Sequence, residues 1–83
     1  MYSILFSSNA KKQFLKLEKA NQKRISNALD RLKFNPEKHV KKLVGKDAYR
    51  LRVGDYRVIM DIFENKLLIL VIKIGHRKNI YKQ

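Results

Sequence analysis

Tyr49-Arg50-Leu51-Arg52-Val53-Gly54-Asp55-Tyr56-Arg57-Val58 is the stretch that decides how this chain folds. Gly-Asp between two runs of β-forming residues reads as the tip of a hairpin. With a two-residue Gly54-Asp55 loop, Val53 stands opposite Tyr56 and Arg52 opposite Arg57. Cross-strand partners share a face, so two guanidinium groups are held side by side, which costs stability. An anion lying between them offsets that repulsion, and phosphate matches the planar guanidinium fork.

Working outward, the pattern predicts strands over Ala48–Val53, Tyr56–Phe63 and Leu67–Ile74. The length of the second loop decides which side chains share a face. A two-residue Asn65-Lys66 turn sets Arg57 opposite Ile74. A three-residue Glu64-Asn65-Lys66 loop sets Phe63 opposite Leu67 and Arg57 opposite Lys73. The second register is preferred. It places Leu51, Val58, Met60, Ile62, Leu68, Leu70, Ile72 and Ile74 on one face, and Arg50, Arg52, Arg57 and Lys73 on the other with Ile59, Phe63, Ile69 and Val71.

The first half of the chain supplies the cover. Tyr2 to Phe6 is a short strand candidate, and Ser7 or Ser8 can cap a helix. From Asn9, Ala10, Phe14 and Leu17 recur at helical spacing. Asn21 is expected to cap a second helix, whose stripe is Ile25, Ala28, Leu29 and Leu32. Asn35-Pro36 ends it, because the residue before proline is pushed out of the α region. Pro36 to Lys46 reads as an irregular basic connection anchored by Leu43 and Val44. The expected architecture is α+β. A helical hairpin packs on one face of a twisted, mainly antiparallel four-stranded sheet, and a short tail leaves the sheet at Gly75.

Bulk composition sets limits on function. The 83 residues are expected to form a single domain over 1–83, and carry 20 Lys+Arg against 7 Asp+Glu, a formal charge of +13. A charge this large points to an anionic partner, nucleic acid foremost. The 45% hydrophobic content is that of a folding chain rather than a disordered basic tail. There are no cysteines, which excludes disulfides and thiolate metal sites. Met1 to Phe6 does not read as a signal peptide, and the apolar run Leu67 to Ile72 is too short to span a membrane. A cytoplasmic location without membrane association is the expectation.

Taken together, several segments resemble the RelE branch of the RelE/ParE toxin superfamily, the toxin halves of bacterial and archaeal toxin–antitoxin pairs. They are the opening strand, the Lys-rich helical hairpin, Lys42-Leu43-Val44-Gly45 and the hairpin quoted above. The last is Val71-Ile72-Lys73-Ile74-Gly75-His76-Arg77-Lys78-Asn79-Ile80-Tyr81. The resemblance covers the whole chain. It implies a ribosome-dependent messenger-RNA endonuclease that cuts in the decoding site through the substrate's own 2′-OH. It also implies a cognate acidic, RelB-like antitoxin, with operator DNA met only through the antitoxin complex. Family basic residues match Arg50, Arg52, Arg57 and Arg77, and the family's C-terminal tyrosine matches Tyr81.

That chemistry needs a base for the hydroxyl, cations for the phosphate and an acid for the leaving 5′ oxygen. Arg52, Arg57 and Arg77 are the expected phosphate cations, since charge stabilisation is often the largest contribution. Arg50, Lys73, Lys78 and Lys46 are the expected RNA-binding residues. Tyr81 is a candidate base, and His76 a candidate for either proton transfer. A third possibility is that no strong base acts and positioning on the ribosome carries the rate. No cofactor or metal is expected: Asp55 lies at the far end of its strand from Asp61 and Glu64, and His39 reads as a solvated loop residue. Two other readings stand beside the nuclease: a ParE-like toxin directed at DNA gyrase, and a non-catalytic basic module. The arginines alone also fit the solvated face of an antiparallel sheet.

Overall fold

A computed structural model describes residues 1–45 and 47–76. In chain order the elements are β1 (Ser3–Phe6), α1 (Ser8–Leu15), α2 (Lys19–Leu32), β2 (Lys41–Lys42), β3 (Tyr49–Val53), β4 (Tyr56–Phe63) and β5 (Leu68–His76). The strands form one five-stranded sheet in the order β1-β5-β4-β3-β2. It has one strand more than expected, because Lys41 and Lys42 pair antiparallel with β3 at one edge. At the other edge β1 runs parallel to β5. Every other pairing is antiparallel.

The helices start where local chemistry allows. Ser7 is extended, and its Oγ accepts from the Ala10 N–H at 3.1 Å, satisfying one orphan donor of α1. α2 begins at Lys19 after an extended Glu18, three residues earlier than an Asn21 cap would place it. It stops short of Asn35-Pro36, where Pro36 opens a short 3-10 turn and is itself buried. Val44, expected to anchor this connection, is fully exposed, whereas Leu43 is half-buried and its N–H donates to the Ala48 carbonyl at 2.8 Å.

The core lies between the helices and one sheet face. Ala10, Ile25, Leu29 and Leu32 from the helices meet Leu51, Val58, Met60, Ile69, Val71 and Ile74 from the sheet. Phe14 and Leu17 pack at its margin, and Phe14 meets Phe6 edge-on at 5.3 Å.

The β4–β5 register corrects the sequence reading in two steps. Leu67 adopts a left-handed conformation (φ 48°) after a 3-10 turn over Glu64–Lys66, so the loop takes one more residue and Phe63 pairs with Leu68. Ile69 and Val71 therefore face the core, in place of Leu68, Leu70 and Ile72. The register then shifts once more. Met60 pairs with Val71 but Ile59 pairs with Lys73, leaving Ile72 as an extra residue on β5. Without that bulge the ladder would have continued to Val58 opposite Lys73 and Arg57 opposite Ile74. A lysine would then stand in the core and an isoleucine among the arginines. The bulge instead pairs Val58 with Ile74 and Arg57 with Gly75.

The start of α1 holds this bulge in place. The Ser7 N–H donates to the Val71 carbonyl at 2.8 Å and the Ser7 hydroxyl to the Ile72 carbonyl at 3.0 Å. Beyond it, the Ile74 N–H donates to Gln13 Oε1 at 2.7 Å. The strand does not leave the sheet at Gly75; it runs on to His76.

Candidate functional site

The sheet face turned away from the helices carries the candidate site. Leu51, Val58 and Ile74 point into the core, so their strand neighbours point the other way. One row across this face is Arg52–Arg57–Gly75; the next is Lys41–Arg50–Ile59–Lys73. The structure thus brings Arg50, Arg52, Arg57 and Lys73 together. The partners of Arg57 and Lys73 differ from the expected ones, since Arg57 faces Gly75 and Lys73 faces Ile59. Further along the same face, Asp61, Phe63, Leu68 and Leu70 replace the cations, so positive charge concentrates at the hairpin end.

Within that end, Arg52 is exposed while Arg57 is only 7% exposed. The Arg57 guanidinium donates to the Tyr56 carbonyl at 3.4 Å, a long bond. Its Nε is buried and has no hydrogen-bond partner among the described residues. A buried guanidinium N–H that lacks an acceptor is costly. Gly75, opposite, contributes no side chain to this row. An anion lying between Arg52 and Arg57 would offset their repulsion.

Gly54 at the hairpin tip is required by geometry. Its φ is +59°, and a Cβ there would lie 3.0 Å from a terminal nitrogen of Arg24 on α2. Arg24 therefore adds its charge to the hairpin end. Sequence periodicity did not single it out, because on α2 it reads as one of several solvated cations.

His76 is not brought to the arginines. It pairs with Tyr56 on the helix side of the sheet, with ring centroids 5.6 Å apart and planes at 78°. Asn21 of α2 donates to the Tyr56 hydroxyl at 3.5 Å on that same side. Strand alternation puts Arg57, the next residue, on the opposite face. Arg77, Lys78, Tyr81 and Lys46 lie outside the described residues. Lys41 was missed by the sequence reading, since two residues of strand carry no periodicity to detect.

The acids gather elsewhere. Glu37, after α2, shares a hydrogen bond with Glu64 in the β4–β5 loop, and that bond and their mutual repulsion raise its pKa above the ordinary glutamate value. The Tyr2 hydroxyl is raised by desolvation and then by these two carboxylates. His39 is exposed, as expected for a loop residue. Among the described residues no three His, Cys, Asp or Glu side chains are grouped to hold a metal, and no helix is long and apolar enough to cross a membrane.

Comparison with known proteins gives a consistent picture. The model of a family described as the ParE toxin of type II toxin–antitoxin systems matches residues 4–81. An Escherichia coli RelE-like toxin protein is 32% identical over 80 residues, covering 93% of this chain and 84% of that one. The archaeal RelE–RelB complex of Pyrococcus horikoshii OT3 contains a chain 33% identical, with a TM-score of 0.80 and coverage of 94% and 97%. The intact E. coli RelBE toxin–antitoxin complex contains one 27% identical, with a TM-score of 0.78 and coverage of 92% and 96%.

Proposed function

The chain belongs to the ParE toxin family of type II toxin–antitoxin systems and is RelE-like, and on that premise we propose that it is a ribosome-dependent messenger-RNA endonuclease. The observation that carries the reading is the Arg52–Arg57 pair in one row of the open face, with Arg50 and Lys73 in the next. A phosphodiester seated there receives charge and hydrogen bonds where negative charge grows during cleavage.

In this reaction the 2′ oxygen of the message attacks the adjacent phosphorus and the bond to the 5′ oxygen breaks. The products are a 2′,3′-cyclic phosphate and a 5′-OH. One proton leaves the 2′-OH and one reaches the departing oxygen. Arg57 and Arg52 bind the non-bridging oxygens, a task suited to a fork of fixed charge. Arg77 and Tyr81 join them on the strength of the family motif, Tyr81 as the candidate proton acceptor. His76 is left out of this assignment because its strand position puts it on the other face. Lys46 and Lys78 complete the RNA-binding set.

An acidic RelB-like antitoxin is the proposed partner, as in the toxin–antitoxin complexes this fold matches. The protein would work in the cytoplasm, where messenger RNA and ribosomes are met, and touch operator DNA only through the antitoxin.

Primer extension on a message in a translating extract tests the reading. Cuts at codon positions that disappear with Arg57→Ala, while the variant keeps its circular dichroism, are the expected result. Double-strand DNA breaks without RNA cuts would instead establish the gyrase-directed alternative. Neither outcome would leave a binding module.

A further inference from the structure

Tyr56 and His76 stand opposite each other as the last pair of the β4–β5 ladder. The residue that follows each of them in the chain is an arginine, Arg57 and Arg77. Ladder ends are where strands fray. This end is held from the helix side. The two rings meet edge to face, with centroids 5.6 Å apart and planes at 78°, an arrangement that aromatic pairs favour. Tyr56 is half-buried against the core. Its hydroxyl accepts from Asn21 Nδ2, in the first turn of α2, at 3.5 Å, a long bond. The pair thus ties two strands together and, through that bond, joins them to a helix.

Both rings lie on the face opposite Arg52 and Arg57, so neither reaches the proposed phosphate site. The backbone carries their constraint through the sheet. The Tyr56 carbonyl accepts from the Arg57 guanidinium at 3.4 Å, so the backbone of Tyr56 is a rest for a side chain the reaction needs. Consecutive Cα atoms are about 3.8 Å apart. Fixing His76 therefore confines the origin of Arg77 to that radius by covalent geometry alone.

Resting on the nuclease reading above, we propose that Tyr56 and His76 form an aromatic clasp that positions Arg57 and Arg77 for the scissile phosphate. Both are positioning residues, and His76 acts through its ring rather than by moving a proton. Two explanations compete with the clasp. Ordinary packing at the margin of the core changes stability alone. A proton-transfer role needs the imidazole nitrogens. The clasp differs from both: it needs an aromatic ring at position 76, of whatever chemistry, and its loss is felt in the rate of the chemical step.

The test is single-turnover cleavage of a message on programmed ribosomes, read by primer extension. Thermal melts by circular dichroism set a temperature at which every variant is folded. His76→Ala and Tyr56→Leu should each lower the rate at saturating toxin by roughly 10- to 100-fold, the cost of a small misplacement. The toxin concentration giving half the maximal rate should stay the same. His76→Phe and Tyr56→Phe keep the ring contact and should restore most of the rate. The double variant of His76→Ala with Tyr56→Leu should be no slower than the slower single one, because both remove the same contact. If His76→Phe is as slow as His76→Ala, the imidazole moves a proton and the clasp is wrong. If His76→Ala cuts at the wild-type rate, or loses only melting temperature or affinity, the contact is mere packing; the clasp is overturned and the nuclease reading stands. A wild-type chain that cuts no message would overturn both.

Discussion

Replacing Arg52 by glutamine should make the protein more stable and less active, and the two effects can be separated by salt. Arg52 is exposed, so its removal leaves no cavity. Glutamine keeps much of the stem and loses the charge. Opposite it stands Arg57, held in register by the Gly54-Asp55 turn. A like-charge cross-strand pair is worth roughly 0.2–1 kcal/mol of destabilisation. For a chain of this size that corresponds to a rise in melting temperature of about 1–8 °C. At low ionic strength the screening length is about 30 Å at 0.01 M, and it shrinks to about 3 Å at 1 M. The gain should therefore appear in dilute buffer and largely vanish in molar salt. Cleavage should fall by about 100- to 1,000-fold, the usual consequence of losing one group aimed at developing charge. Thermal melts at the two salt concentrations give the first quantity, and primer extension in a translating extract gives the second. A variant that is less stable than wild type in dilute buffer would refute the repulsion argument. A variant that cuts at the wild-type rate would remove Arg52 from the site.

Other perturbations probe the supports of the face. Gly54→Ala should destabilise by about 1–2 kcal/mol, because the left-handed conformation is unfavourable with a Cβ and the Arg24 side chain must move; Gly54→Asn should cost less in the same melt, and equal costs would contradict the backbone explanation. Gln13→Leu strands the Ile74 N–H that now donates to Gln13, an expected loss of about 1–3 kcal/mol by urea titration, with faster hydrogen exchange at Ile74 as its signature. Glu37 has a raised pKa in the fold. Its contribution is therefore fully present below the unfolded glutamate pKa and is lost as pH rises through the folded value. Melts from the acid side of the glutamate range to neutrality should show this small loss in wild type and not in Glu37→Gln; identical profiles would count against the Glu37–Glu64 contact.

Much of this architecture was legible because hydrophobic spacing and turn chemistry are local. The Gly54-Asp55 hairpin, the Ile25–Leu29–Leu32 stripe and the end of α2 ahead of Asn35-Pro36 all follow from residues close together in the chain. The Arg52–Arg57 pairing was legible for the same reason. What escaped was set by contacts between distant segments. Leu67 is an unusual residue for a left-handed position, so nothing local announced the longer loop. The Ile72 bulge is held by Ser7, 65 residues away in sequence. Lys41 joined the sheet through only two pairings, too few to leave an alternating pattern. His76 is a candidate for either proton transfer by residue type alone. Which face it takes depends on the register of the whole strand.

The bulge at Ile72 also makes the cationic surface impossible to lose quietly. A slip of β5 by one residue would exchange Lys73 and Ile74, burying an ammonium group while pushing a core side chain into water. The misaligned chain would be too unstable to persist. The hydrophobic interior thus acts as a checkpoint on the chemistry outside it: any molecule that folds has already aligned its cations.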